Sequence, residues 1–543
     1  MIKFILKYLR KYKLLVFFLT ILMFFSLLIT SITPYIAGRF IDLIVLKPTK
    51  KEILNFGYIF CLIGVMGIVC SYVTNIISMN FTYKVIFKVE SDIISHMQKI
   101  PYEDFKKNFN PAQLIQRIRN DSDTIITFFI NNMYKFTYNI VLISSVLFLM
   151  MKISFSIFFI MILFIPIYIL IYIILKRPLY NSTVKVKEEN TIYFKKIYED
   201  LHQLQEIKIH AHYDKRERKR LIEFIKYNQV LLENLKLVEI FKSIDSILSI
   251  IFQVLVLIIG GMEIVKENLT IGQYTIINVY FGIVLSSINY YFNLGEAYQR
   301  ARASYFRIKE LFDIPEEQNG HVVIQDIKSI SVDGIEFIYP GDFFKLDKRG
   351  EKIVFEKGNI YSLAGANGTG KSTFINILVG VIQSINKGSI HYNDHNINTL
   401  NKVEMRKKRI SFLSQQIVYG DETVEEFLLQ YIDTDKVSLR NIIRNNNFIN
   451  SLWNENEIIN LLNRKMASLS VGELKKIYLF KTFEKECDIL ILDEPTASLD
   501  KAALDVLKEY LKIYKKEHII IIVNHEILLN DIFDKIIYFD KKL

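Results

Sequence analysis

Residues 359–378 read NIYSLAGANGTGKSTFINIL. A β-branched and aromatic run enters Gly365-x-x-x-x-Gly370-Lys371-Ser372 and an apolar helical pattern leaves it, so the spacing predicts strand, loop and helix in that order. Glycines let backbone N–H groups wrap a phosphate, and the helix start adds a favourable dipole. Lys371 is then placed to reach the β- and γ-phosphates of a nucleotide, and the Ser372 hydroxyl to ligate Mg²⁺. The expected phosphate cradle is Gly365, Asn367, Gly368, Gly370, Lys371, Ser372 and Thr373.

The chain around the loop carries the rest of an α/β domain. From about Ile324 onward, short β-branched runs (ISVDGIEFIY, NIYSLAGA, KRISFLSQ, CDILILDEP, HIIIIVNHE) alternate with helical or polar stretches, the pattern of a mainly parallel sheet. The run Ile489–Leu492 ends directly in Asp493 and Glu494, two carboxylates at a strand end where a Mg²⁺-binding Asp and a water-activating base belong. Leu469-Ser470-Val471-Gly472-Glu473 opens a helix. By itself it reads as an N-capping Ser with an acid at the third helical position.

The first half of the chain is different in kind. Of the 543 residues 51% are hydrophobic, and the mean hydropathy is +0.23, high for a soluble protein. Six stretches lack any charged side chain: Leu14–Gly38, Ile53–Tyr83, Phe136–Met151, Ile153–Leu175, Ser246–Met262 and Asn268–Gly295. Most reach the ~20 residues a helix needs to cross hydrocarbon. The third and fifth are short, which puts Lys135 or Asp245 against protein or a water-filled cavity. The net charge of +11 lies largely in loops flanking these runs, as the positive-inside rule expects, so nucleic acid is not the expected partner. The long charged segments Lys84–Lys135 and Lys176–Asp245 and the basic N-terminus are placed in the cytoplasm. Lys47, Lys50 and Lys51, in the first short loop, point the other way. Three cysteines without metal or CxxC spacing exclude a disulfide or zinc framework.

The ordered set of phosphate loop, ISFLSQQ, LSVGE, ILILDEPTASLD and IIIIVNHE resembles the nucleotide-binding domain of ATP-binding cassette (ABC) transporters. With six spans ahead of it in one chain, the whole is similar to a half-transporter of the type I exporter class. IPYEDFKKNFNPAQLIQRIRNDSDTI resembles the first cytoplasmic loop of those exporters, while TIGQYTIINVY and RARASYFRIKELFDIP resemble their sixth span and exit helix. The expected architecture is a six-helix α-helical transmembrane domain with long cytoplasmic extensions over 1–315, a linker over 316–327, and an α/β P-loop cassette over 328–543.

The resemblance implies ATP and Mg²⁺ as cofactors and ATP hydrolysis coupled to transport. It also implies a role for each matching residue. Tyr339 stacks on adenine, Gln415 touches Mg²⁺ and the attacking water, and Asp493 holds Mg²⁺. Glu494 positions or deprotonates the water, and His525 contacts the γ-phosphate. Ser470, Gly472 and Glu473 meet the γ-phosphate of ATP held by the opposite subunit, and Asp500 belongs to the loop that crosses to it. Catalysis is thus assigned to Glu494, His525 and Gln415, and the metal to Ser372, Gln415 and Asp493.

Three departures stand out: Val471 and Glu473 replace the usual Gly and Gln, Ser414 stands where Pro usually precedes the Gln, and NLLNRKMASLS lacks a Gly-Glu loop common in exporters. One cassette per chain requires a second subunit, with a homodimer favoured over a heterodimer. No large folded region precedes the first span, so no peptidase domain is expected. A peptide is the first expectation for cargo, with multidrug or lipid export next and an ATP-gated receptor or channel last. A cytoplasmic-membrane location in a bacterium is expected.

Overall fold

The computed structural model describes residues 1–338, 345–347, 351–383, 385–432, 434–524 and 527–539. It divides into two compact units, one of Met1–Ser95 and Pro111–Asp313, the other of His96–Asn110 and Ile314–Leu543.

The first unit is built on six long helices: α1 (Lys13–Val45), α2 (Lys50–Met97), then, after the short α3 (Tyr102–Asn108), α4 (Pro111–Ile153), α5 (Phe155–His202), α6 (Tyr213–Val265) and α7 (Ile271–Phe312). At ~1.5 Å per residue these run about 50 to 80 Å, well beyond the ~30 Å of a hydrocarbon core. Among the described residues, five helical segments are long and apolar enough to cross a membrane: Ile2–Val45, Lys50–Met97, Gln113–Ile153, Tyr213–Val265 and Ile271–Phe312. The fourth expected span falls on α5, where Phe155–Ile171 is the apolar stretch among the described residues.

Val146, Phe252, Val256, Ile277 and Tyr280 form the dry centre of this bundle, with the Tyr280 hydroxyl donating to the Ser31 carbonyl at 2.7 Å. The start of α7 is fixed by a carboxylate. Asp42 accepts from the Thr270 hydroxyl and the Gly272 N–H, both at 2.7 Å, satisfying donors that a helix N-terminus leaves open. Gly272 makes the approach possible, because a Cβ there would lie 2.0 Å from the Gly38 carbonyl oxygen.

In the second unit, β1 (Ser329–Ile338), β2 (Lys345–Asp347) and β3 (Lys352–Glu356) precede β4 (Ile360–Ala364), which feeds α8 (Lys371–Leu378). Then come β5 (Lys387–Tyr392), β6 (His395–Asn396), β7 (Ile410–Leu413), α9 (Val424–Tyr431), α10 (Lys436–Asn445) and α11 (Glu455–Leu462). The remainder is α12 (Val471–Glu484), β8 (Ile489–Asp493), α13 (Lys501–Tyr514), β9 (Ile519–Val523) and β10 (Lys535–Tyr538). A parallel sheet runs β10-β4-β9-β8-β7, and β1, β2, β3, β5 and β6 make a separate antiparallel one.

Strands β8 and β9 are buried on both faces, which explains their unbroken aliphatic reading. Side chains alternate between two cores as the two-residue strand period requires. Leu490, Leu492, Ile520 and Ile522 face the core under α9 to α12, whereas Ile489, Ile491, Ile519 and Ile521 face the core shared with α8 and the antiparallel sheet.

Residues 96–110 are tied into this same unit. The Glu317 N–H donates to the Lys99 carbonyl at 2.7 Å, and the Gln383 N–H to Glu103 at 3.3 Å. Arg406 pairs with Glu317 at 2.7 Å. A loop that the sequence reads as part of the membrane domain thus shares hydrogen bonds with the linker and the cassette.

Candidate functional site

The loop between β4 and α8 has the backbone its sequence asks for. Gly368 and Gly370 adopt φ of +79° and +93°, in the left-handed region where a side chain is strained, and nothing lies within 4 Å of where a Cβ on Gly368 would sit. Asn367, Gly368 and Ser372 are exposed, while Thr373 is buried under the loop. The Lys371 side chain turns back into the cradle, its ammonium donating to the Gly365 and Ala366 carbonyls at 2.7 and 2.9 Å. Burial lowers its pKa, and the nearby Glu494 and Asp493 carboxylates oppose that shift. The two strand-end acids thus lie close enough to act on the loop's lysine.

Asp493 closes β8 and is buried, and Glu494 follows at φ +50°, its N–H donating to the Val523 carbonyl at 3.0 Å. A non-glycine residue in that region is costly and is held only by its surroundings. Here the neighbouring strand β9 and Gln415 do the holding, for the Gln415 amide donates to the Glu494 carboxylate at 3.0 Å. The Ser414 hydroxyl donates to the Gln416 carbonyl at 2.7 Å, so a side-chain turn shapes the approach to Gln415. Tyr339 and His525 lie outside the described residues.

The LSVGE segment starts α12 with a complete capping box. Ser470 accepts from the Glu473 N–H at 3.3 Å, and Glu473 accepts from the Ser470 N–H at 2.8 Å. Arg464 also donates to Glu473, at 3.0 Å. Burial pushes the Glu473 carboxyl up, but the Ser470 and Arg464 bonds outweigh it and hold it below the ordinary range. Val471 projects into solvent at 63% exposure, so its bulk does not crowd its own chain. Gly472 cannot vary as freely, because a Cβ would meet the Ser498 carbonyl at 2.9 Å. Asp500 caps α13 through the Ala503 N–H and pairs with Lys476 at 2.7 Å. Ser470 and Glu473 bond to each other, Glu473 also accepts from Arg464, and among the described residues neither bonds to the phosphate loop.

Sequence reasoning missed Lys475. It lies on α12 at 3% exposure, with Asp493 and Glu494 acting on it electrostatically against the lowering effect of burial. A lysine inside a helix pattern carries no sign of burial, and only the tertiary fold sets it facing the strand-end acids.

The contrast between positions 471 and 472 is testable. Gly472→Ala is expected to push the head of α12 off Ser498 and lower ATP turnover at least about fivefold, whereas Val471→Gly should shift stability by no more than about 1 kcal/mol. Turnover and thermal melting of both variants check it; a silent Gly472→Ala would mean the Ser498 contact is dispensable.

Fold and site together define a membrane protein with a P-loop ATPase cassette fused behind its spans. The family pattern of the ABC transporter transmembrane region matches residues 16–288, and a second pattern, described as ABC transporter, matches 351–497. The chain belongs to the ABC transporter family, whose cassettes bind ATP and couple its hydrolysis to transport. It is 24% identical over 393 residues to the lactococcin transport/processing ATP-binding protein LcnC-like of Lactococcus lactis, covering 71% of this chain and 54% of that protein. It is 24% identical over 327 residues to the ATP-dependent lipid A-core flippase of Vibrio parahaemolyticus, covering 58% and 55%. The chain therefore spans about half the length of both relatives. In fold it is similar to a bacterial Atm1-family ABC exporter with ATP bound, with a TM-score of 0.76 and 14% identity, over 98% of this chain and 94% of that one.

Proposed function

We propose that this chain is one half of an ATP-driven exporter in the cytoplasmic membrane of a bacterium, working as a dimer and moving a peptide. The observation that carries the dimer is the separation of the two halves of the site: Gln415, Glu494 and Lys371 gather around one phosphate loop, while Ser470, Gly472 and Glu473 present a capped helix end that among the described residues bonds to no part of it. A second copy would supply the missing helix end, and an identical partner is the simplest one.

Within such a site Lys371 and the loop N–H groups bind the phosphates, Gln415 orients the attacking water, and Glu494 accepts its proton. The exposed Ser372 hydroxyl, the Asp493 carboxylate and the Gln415 amide form a set of hard oxygen donors that suits Mg²⁺. That ion would neutralise charge developing on the phosphate oxygens. Tyr339 is assigned to the adenine and His525 to the γ-phosphate.

Export is favoured by the fusion of spans and cassette in one chain, and a peptide by the lactococcin relative, with the flippase relative favouring lipid as the second reading. The test is ATP-dependent uptake by inside-out proteoliposomes of the purified chain, offered a hydrophobic peptide, a fluorescent phospholipid and a hydrophobic cation. The expected result is uptake of the peptide and stimulation of ATP turnover by it. ATP turnover with no movement of any of the three would overturn export in favour of gating.

A further inference from the structure

Two cavities among the described residues of the membrane unit are of opposite character. One, of about 310 Å³, is lined only by apolar side chains and one glycine of α1 and α2, among them Ile36, Phe40, Phe56 and Phe60. The other, of about 150 Å³, lies among α1, α2 and α4 and is lined by Ser26, Ser71, Thr74, Asn75, Lys135 and Tyr138, with Met23 alone apolar. At ~30 Å³ per water it has room for about five waters, or a small polar group and its hydration. Polar and charged side chains are costly at membrane depth and face a cavity or a pathway where they occur.

Two of these groups lack the partner such a place calls for. Thr74 is 5% exposed, and its buried hydroxyl makes no hydrogen bond. Other threonines on α1 and α2 do bond back to the preceding turn: Thr30 to the Ser26 carbonyl at 2.8 Å, Thr33 to that of Ile29 at 2.6 Å and Thr82 to that of Ser78 at 2.8 Å. Lys135 forms no ion pair among the described residues, and no carboxylate lines the cavity. Tyr138 is held at the wall by its bond to the Thr30 hydroxyl at 3.3 Å. The result is one cation, one open hydroxyl and an amide around a space of about 150 Å³ within an apolar bundle.

We infer that this cavity is a recognition subsite for an oxyanion, a carboxylate or phosphate carried by an otherwise apolar cargo. Lys135 supplies the charge, and Thr74, Asn75 and the two serines supply hydrogen bonds. The inference rests on the export reading and deepens it, since it selects cargo with an anionic end and disfavours hydrophobic cations. A charge-assisted bond in a partly dry site is among the stronger polar contacts.

The experiment uses the full chain in phosphatidylcholine nanodiscs without ATP and a tritiated hydrophobic hexapeptide bearing either a C-terminal carboxylate or the corresponding amide. The acid is expected to bind about tenfold more tightly than the amide. Lys135→Gln should erase that preference and Lys135→Arg keep it. Thr74→Val should weaken the acid without lowering the melting temperature, because removing an orphaned buried hydroxyl does not harm the fold. Phosphatidylglycerol added to the discs separates the sources. If it displaces the acid from wild type but not from Lys135→Gln, the oxyanion is a lipid phosphate; if it leaves the acid bound, the oxyanion is the peptide's carboxylate. Equal binding of acid and amide, no binding of either, or a preference that survives Lys135→Gln overturns the inference. A chain that prefers the acid yet moves nothing with ATP sinks the export reading alone, and one that exports without the preference sinks this inference alone.

Discussion

Replacing Glu494 by Gln lowers ATP turnover about a thousandfold while leaving ATP binding in place. The magnitude follows from the role: a positioned general base contributes ~10²–10⁴ in rate, and three decades correspond to about 4 kcal/mol of barrier. The specificity follows from the geometry. Glu494 is held by its own N–H on the Val523 carbonyl and by the Gln415 amide at 3.0 Å, neither of which depends on the carboxylate carrying charge. The amide of a glutamine can still accept from Gln415, so shape is kept and only basicity is lost. Phosphate release measured beside nucleotide affinity separates the two effects. Turnover within tenfold of wild type would assign the base elsewhere, and lost affinity would mean the carboxylate serves the fold or the phosphates.

Much of this site is legible in the sequence because its parts are local. The strand, glycine loop and helix of residues 359–378 lie in one unbroken stretch, and the capping box of Ser470 and Glu473 needs only its own four residues. Whatever depends on distant segments was not legible. The Gln415–Glu494 bond joins positions far apart in the chain, the burial of Lys475 depends on the strand behind its helix, and Gly472 is constrained by a carbonyl at Ser498. The same limit holds in the membrane half. Uncharged run length marks where helices cross, and among the described residues five segments are long and apolar enough to do so. The sequence reading assigns loop 96–110 to the membrane domain by position, whereas its hydrogen bonds go to the linker and the cassette. Nothing in its composition announces that.

The second large effect is expected at Lys371, and its character differs. Lys371→Ala should abolish nucleotide binding as well as turnover, because this one ammonium has two tasks. It holds the loop by bonding the Gly365 and Ala366 carbonyls, and it is the cation nearest to hand for phosphates entering a site that already contains Asp493 and Glu494. Removing it leaves two carboxylates facing an incoming polyanion with the buried Lys475 beside them, a like-charge arrangement that the free site tolerates and a nucleotide does not. Arginine is no substitute, since the side chain is only 5% exposed and a planar guanidinium is larger than the space an ammonium occupies. Ligand-dependent stabilisation reads this directly: ATP at a hundred times its Kd stabilises the folded chain by ~2.7 kcal/mol, and that increment should vanish in Lys371→Ala yet persist in Glu494→Gln. Were Lys371→Ala still stabilised by ATP, the lysine would be a structural clamp on the loop and the N–H cradle alone would account for phosphate binding.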